Sequence, residues 1–165
     1  MIKLIFSLVL IISATLIGNT FSIKLTNRRK TLTAIVGAIS RIKTLICFGG
    51  MDTKRVVEQC MCAEDFPLLS SENLSFDTHF DKAFEESVGK ISNSFSLTES
   101  DKELLTQFGT QLGSTDVTGQ IAHTELYTTL FTERLNYVKE QESTKSKLYR
   151  VLGFSLGCAI SLLIV

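Results

Sequence analysis

The chain has 165 residues, and its 17 Lys and Arg balance 17 Asp and Glu, so the formal net charge is zero. This composition excludes a strongly basic nucleic-acid-binding protein, and the length allows one domain with a hydrophobic core. The apolar residues are unevenly spread, because residues 4–23 and 151–165 contain no charged side chain.

The first uncharged stretch predicts a transmembrane helix over residues 1–23. Twenty helical residues extend about 30 Å, which is the thickness of the hydrocarbon core of a bilayer. The alternative is a cleaved signal peptide with Lys3 as its charged start. No A-x-A-like cleavage site follows, and the apolar run is longer than the usual ~7–15 residues. A membrane anchor is therefore favoured.

The second uncharged stretch predicts a transmembrane helix over residues 148–165. Its 15 uncharged residues extend about 22 Å, which suffices if Lys147 and Arg150 reach the headgroups. A buried core helix is the alternative, but the stretch lacks a polar face. Small residues recur at helical spacing, either because they form a helix-packing face in lipid or because glycine is common in such helices. They are Gly153, Gly157 and Ser161, with Ala14, Gly18 and Ser22 in the first span.

Clusters of cations predict on which side of the membrane the central domain lies. Lys24 and Arg28–Lys30 follow the first span, and Lys145–Arg150 precede the second. Because cytoplasmic flanks carry the Lys/Arg excess, residues 24–147 are predicted to form a cytoplasmic domain, with both termini across the membrane.

The charge is divided along the chain. Residues 1–50 carry +7, residues 52–116 carry −8, and residues 117–150 carry +1. Topology and attraction to anionic lipid account for the basic block, so membrane lipid is a predicted partner. The acidic block is predicted to lie away from the membrane.

Two helices are predicted directly after the first span. A coiled-coil-like apolar seam begins next to the span, so span and helix are predicted to be continuous as far as Gly49-Gly50. Asp52 is a candidate N-cap for a short helix through about Ala63. The apolar positions are Leu25, Leu32, Ile35, Ile39, Ile42 and Ile46 in the first helix and Val56, Val57 and Cys60 in the second.

Three more helices follow a connector, Glu64–Ser75, that contains the only proline. An amphipathic helix carries Phe76, Phe80, Ala83, Phe84 and Val88, and Asn93–Leu97 is predicted to be a loop. Thr98 and Asp101 resemble a capping box for a helix that stops at Gly113. Ser114–Asp116 would cap a last helix that runs into the second span. The apolar positions of these two helices are Leu104, Leu105, Phe108 and Leu112, then Ile121, Leu126, Tyr127, Leu130, Phe131, Leu135 and Val138.

No segment has a strand pattern, so the predicted fold is all-α: an antiparallel helical bundle with N- and C-terminal transmembrane helices.

The sequence contains no catalytic constellation. Ser155 lies in a G-x-S-x-G match, but the match sits in an apolar helix rather than in the strand–turn–helix of a hydrolase. The spacing of Cys60, Cys62, His79 and His123 does not favour a metal site, and there is no P-loop. A protein without enzymatic activity, cofactor, metal or small-molecule substrate is predicted.

The order of several short motifs resembles one family. The segment Glu103–Asp116 with Gln120 is similar to the FG-x-x-LG-x-x-D-x-x-x-Q signature of the stage III sporulation protein AB family. Ala83-Phe84 and the glycines after Arg150 agree, whereas Asp52-Thr53-Lys54 departs from the Thr-Pro-Leu-like start of the second helix in relatives. The signature residues are Phe108, Gly109, Leu112, Gly113, Asp116 and Gln120.

The resemblance implies a membrane platform component of the channel between mother cell and forespore, located in the outer forespore membrane. Its helical domain would be similar to part of the platform proteins of type II secretion and type IV pilus machines. The implied partners are a stage III AA-type hexameric ATPase and the other subunits of the stage III A channel complex. A membrane-anchored regulator or assembly factor with another cytosolic partner is the alternative.

Acids of the block that carries −8 are candidates for ATPase contact, because complementary charge speeds encounter and selects partners. The alternative is a solvated surface that keeps the domain soluble, and a solvated helix face is also the expectation for the acids within Glu99–Glu103. The candidates are Asp81, Glu85, Glu86 and Glu103.

Overall fold

The computed structural model describes residues 2–49, 53–61, 80–91 and 93–164. In these ranges the chain forms α-helices, one 3₁₀ turn and no strand, which confirms the all-α prediction. The helices are α1 (Ile2–Gly49), α2 (Thr53–Met61), α3 (Phe80–Gly89), α4 (Glu99–Gln111) and α5 (Val117–Ile164), and the 3₁₀ turn is Asn93–Phe95.

The chain divides into two compact units. Unit 1 comprises Met1–Arg29 and Asn136–Val165, and unit 2 comprises Lys30–Leu135. Unit 1 therefore contains both predicted membrane segments, and unit 2 contains most of the predicted cytoplasmic domain. The predicted boundaries at residues 23 and 148 remain predictions.

In unit 1, α1 and α5 are joined by polar side chains. Glu142 of α5 forms an ion pair with Arg29 of α1 and accepts a hydrogen bond of 2.8 Å from the hydroxyl of Thr26. Ser22, from the predicted packing positions of the first span, is buried. The side chains at positions 153, 157 and 161 lie outside the described residues, so the packing face there stays a prediction.

The core of unit 2 is built around the seam of α1. Leu32, Ile35, Ile39 and Ile42 have no exposed surface, as their spacing predicted. Phe131 and Leu135 of α5 and the predicted apolar positions of α2 are buried as well.

α2 begins at Thr53, directly after the predicted N-cap position, and α3 is described from Phe80 onward. The predicted N-cap Asp52, the connector Glu64–Ser75 and the predicted helix start at Phe76 lie outside the described residues. The predicted loop Asn93–Leu97 contains the 3₁₀ turn, and Ser96 then takes a left-handed conformation with φ of 57°. The hydroxyl of Thr31 donates a hydrogen bond of 2.9 Å to the carbonyl of Phe95, which anchors this turn to α1.

α3 packs directly on α4. A Cβ atom at Gly109 would overlap the ring of Phe84, so only glycine allows the two helices to approach this closely at this point. The prediction that Gly109 permits close helix packing is confirmed.

One stretch of α1, Asn19–Phe48, is long and apolar enough to cross a membrane by length and composition. Its residues Leu32, Ile35 and Ile39 are fully buried in unit 2. Because a buried core helix meets the same criteria, this stretch is weak support for membrane association.

Candidate partner-binding face

The turn between α4 and α5 is built by residues of the predicted signature. Leu112 takes an extended conformation at the end of α4, and its N–H donates to the carbonyl of Gly109 at 3.2 Å. Gly113 has φ of 85°, a region that side chains with a Cβ atom rarely adopt. The prediction that Gly113 provides a left-handed stop is confirmed.

The start of α5 is fixed by Asp116 and Gln120. A side-chain oxygen of Asp116 accepts from the N–H of Gly119 at 3.0 Å, which satisfies a backbone donor of the first turn. The buried amide of Gln120 donates to the hydroxyl of Thr115 at 3.1 Å. A Cβ atom at Gly119 would come within 2.6 Å of that hydroxyl, so glycine is required here as well.

His123 of α5 stabilises the other side of the turn. Its Nε2 lies 2.9 Å from the carbonyl of Phe108, in the last turn of α4, where carbonyls lack a partner within the helix. Nε2 therefore carries the proton and donates. The imidazole stacks on the ring of Phe108 at a centroid distance of 5.4 Å and contacts Tyr127 at 4.7 Å. His123 thus has a structural role.

The capping box at the start of α4 is confirmed, but it contains an ion pair that the sequence did not predict. Asp101 was expected, with its neighbours, on a solvated face. Instead it is fully buried, and its carboxylate accepts from Arg134 of α5 at 2.9 Å and from the N–H of Thr98 at 3.0 Å. The expectation was wrong because Arg134 is distant in sequence and its approach depends on the fold.

The four candidate contact acids, by contrast, are exposed. Asp81, Glu85 and Glu86 lie on α3 and Glu103 lies on α4. We call these four residues the acidic face. An open groove runs between the two helices, with Glu85 on one side and Glu103 on the other. The other residues that line it are Val88, Gly89, Glu99, Lys102, Thr106 and Gln107.

The groove keeps a negative charge. Lys102 is its only lysine, and the ammonium group lies 3.5 Å from the carboxylate of Glu99. Residues 80–111 contain six acids and three lysines, and one of the six, Asp101, is compensated by Arg134. The α3–α4 pair therefore presents a net negative surface around a shallow cleft.

Side chains that could carry chemistry are not brought together in the described residues. Among those residues no group of three or more His, Cys, Asp and Glu could hold a metal ion. Burial raises the pKa of the Cys60 thiol, so it is a poor nucleophile, although Arg41 partly opposes the shift. Ser155 is exposed within α5, and this helical position lacks the strand–turn–helix of a hydrolase.

Comparison with known proteins identifies the family. The model of the family described as Stage III sporulation protein AB matches residues 3–165. The chain belongs to this family. Stage III sporulation protein AB of Bacillus subtilis (strain 168) is 25% identical over 174 residues, which cover all of both chains. No solved structure matches the chain. A role in sporulation follows from the family.

The signature by which the sequence resembles the stage III sporulation protein AB family has a structural explanation at every position. Phe108 and Leu112 are core residues, Gly109 and Gly113 meet steric requirements, and Asp116 and Gln120 hold the start of α5. The signature residues build the α4–α5 corner.

Sequence reasoning missed the structural roles of Gly119, Arg134 and His123 in this family member, and for Asp101 it predicted the capping role but missed the ion pair. The role of Gly119 could have been predicted from the sequence, because a glycine in the first turn of a helix, three residues after a capping Asp, suggests that side chains of the cap approach its backbone closely. The others, Asp101, Arg134 and His123, acquire their roles from partners 15 or more residues away.

Proposed function

We propose that the chain is a non-enzymatic, two-pass membrane platform component of the channel between mother cell and forespore. Residues 24–147 face the mother-cell cytoplasm, and the spans lie in the outer forespore membrane. The acidic face docks a stage III AA-type hexameric ATPase, and the spans contact other subunits of the stage III A channel complex and membrane lipid.

The observation that carries the proposal is the acidic face itself. Four acids on two adjoining helices remain exposed in the folded chain and form a negative surface, whereas the nearby Asp101 is buried and paired with Arg134. The cleft between Glu85 and Glu103 gives a partner side chain a place to enter. The α3–α4 contact at Gly109 holds both helices in one arrangement, so the surface is preorganised for docking.

Co-purification tests the docking. The full chain in neutral nanodiscs should retain the hexameric ATPase encoded by the same organism, and Glu85→Lys with Glu103→Lys should release it. The matched control reverses two exposed acids of α5, Glu133→Lys with Glu140→Lys, and should retain it. Equal retention by both variants would exclude the groove as the docking site. Failure of the unsubstituted chain to retain the ATPase would favour a regulator or assembly factor.

Cysteine labelling tests the topology separately. In a cysteine-free background produced in growing, non-sporulating cells, whose membrane faces the medium, Ser94→Cys in the exposed 3₁₀ turn should resist a membrane-impermeant maleimide in intact cells and react after lysis. A cysteine added after Val165 should react in intact cells, because the C-terminus is predicted to lie across the membrane. Ready labelling of the Ser94→Cys variant in intact cells would contradict the cytoplasmic placement.

A further inference from the structure

Unit 1 concentrates the positive charge of the molecule. It contains eight Lys and Arg against two acids, Glu140 and Glu142, so its net charge is +6. Because the whole chain is neutral, unit 2 carries −6. The cations are Lys3, Lys24, Arg28, Arg29, Lys139, Lys145, Lys147 and Arg150.

The contact between Arg29 and Glu142 sets the register of α1 and α5 in this unit. It joins the end of segment Met1–Arg29 to the early part of segment Asn136–Val165. Further along the same helices Lys43 of α1 pairs with Glu125 of α5, so α1 and α5 run antiparallel, and each step toward the N-terminus in α1 matches a step toward the C-terminus in α5. Because Glu142 contacts both Thr26 and Arg29, the backbone of residue 24 lies level with about residues 144–147.

Five of the cations consequently occupy a narrow layer. Residues 24–29 and 142–147 each span about 8 Å of helix axis at ~1.5 Å per residue, and together they carry +4. We call this layer the basic band; its cations are Lys24, Arg28, Arg29, Lys145 and Lys147. It adjoins the predicted span ends at residues 23 and 148, and its depth matches the polar headgroup region of one leaflet, roughly 5–8 Å.

The structure compensates only part of this charge from within the chain. Glu142 neutralises Arg29. Lys24 is exposed, and Lys145 donates at 2.8 Å to the side-chain carbonyl of Gln141, which is an uncharged acceptor. Over the described parts of the chain no carboxylate pairs with Lys24 or Lys145.

We propose that the basic band binds the anionic headgroups of phospholipids in preference to zwitterionic headgroups. The inference rests on the proposed insertion of unit 1 into the membrane and adds the chemical class of lipid that it binds. Each Lys or Arg held near an anionic surface strengthens association by about fivefold, and the effect decays within a Debye length. The contact of Glu142 with Arg29 keeps the cations of both helices at one depth, where a headgroup can meet them together.

The fluorescence of one introduced tryptophan provides the test, because the natural chain contains no tryptophan. Ile23→Trp places the fluorophore at a half-exposed position beside Lys24. The full chain is reconstituted in vesicles that contain phosphatidylcholine and phosphatidylglycerol, with bromine on the acyl chains of one lipid or the other. We expect stronger quenching by brominated phosphatidylglycerol, with a relative association constant several-fold above one that falls toward one as salt rises.

Two variants with the same charge change locate the effect. Lys24→Gln with Lys145→Gln should bring the relative association constant close to one. Lys82→Gln with Lys90→Gln, which removes one exposed lysine from α3 and one from the turn directly after it, should leave it unchanged.

The outcomes separate this inference from the proposed function. A relative association constant of one in the unsubstituted background would overturn lipid selectivity. An equal fall in both variants would overturn its assignment to the basic band. Either result leaves membrane insertion intact. Absence of quenching by either brominated lipid would overturn insertion and the inference with it. Retention of single-stranded RNA by the chain in neutral nanodiscs, lost with Lys24→Gln and Lys145→Gln, would assign the band to nucleic acid instead.

Discussion

The ring of Phe84 on α3 occupies the space that a Cβ atom would need at Gly109 on α4. This contact joins the helix that carries three of the four acids of the acidic face to the helix that carries the fourth. It therefore limits how closely the two helices that border the groove approach each other.

Gly109→Ala should destabilise unit 2. The added methyl group must displace a buried ring, and such overpacking costs about 1–3 kcal/mol. Gly37→Ala is the matched control, because position 37 lies within α1 and nothing lies within 4 Å of a Cβ atom there. It should stabilise by up to about 1 kcal/mol through helix propensity. Denaturant unfolding of the full chain in detergent micelles measures both, and equal stability of the two variants would contradict the packing.

Gly113→Val should cost about 1–2 kcal/mol or more, because φ of 85° is strained for a β-branched residue. Gly113→Asn should cost less, since Asn tolerates the left-handed region. We expect the melting temperature in detergent micelles to be highest with glycine at position 113, lower with asparagine and lowest with valine. If Gly113→Val kept the melting temperature but lost ATPase binding, the turn would be a contact surface instead.

Arg134→Ala should destabilise by about 2–3 kcal/mol. The substitution leaves the buried carboxylate of Asp101 without its cation, and an uncompensated buried charge is costly, although partial exposure of Arg134 moderates the loss. Lys43→Ala removes one partner of the exposed pair with Glu125 and should cause a smaller loss. Comparable unfolding midpoints for the two variants would show that Asp101 is solvated.

Local patterns predicted most of the helices and their caps. The seam of α1, the capping box at Thr98 and the left-handed turn at Gly113 depend on residues within a few positions of one another, so spacing alone was informative. Leu126 is an exception: its position fits the apolar pattern of α5, yet it is 56% exposed, because periodicity does not say how wide the covered stripe is.

The candidate site was only partly accessible to such reasoning. That four acids are exposed follows from their polarity. Which of them line one groove depends on how α3 packs on α4, where the ring of Phe84 lies against Gly109. Charge alone did not distinguish Asp101 from Glu103, two positions away. The fold places one inside the bundle against Arg134 and leaves the other on the surface.

The two described cysteines of unit 2 should differ in reactivity. Cys47 is exposed, whereas Cys60 is buried and burial raises the pKa of its thiol. At pH 8 an alkylating reagent should modify Cys47 first and Cys60 only after denaturation, as read by peptide mass spectrometry. The protonated Cys60 thiol contributes stability below its ordinary pKa, and this contribution is lost as the pH rises through the raised value. Rapid labelling of folded Cys60 would contradict its burial.

Docking of the ATPase on the acidic face, as we propose, would make the affinity depend on ionic strength, and a salt titration of binding decides between docking and a solvated surface. The full chain in neutral nanodiscs should bind the stage III AA-type ATPase with an affinity that falls from low to high salt. The variant with Asp81, Glu85, Glu86 and Glu103 all replaced by Lys should bind more weakly at low salt, with unchanged helicity. An affinity that is flat across salt, with the reversed variant indistinguishable from the unsubstituted chain, would contradict the claim and leave the acidic face a solvated surface.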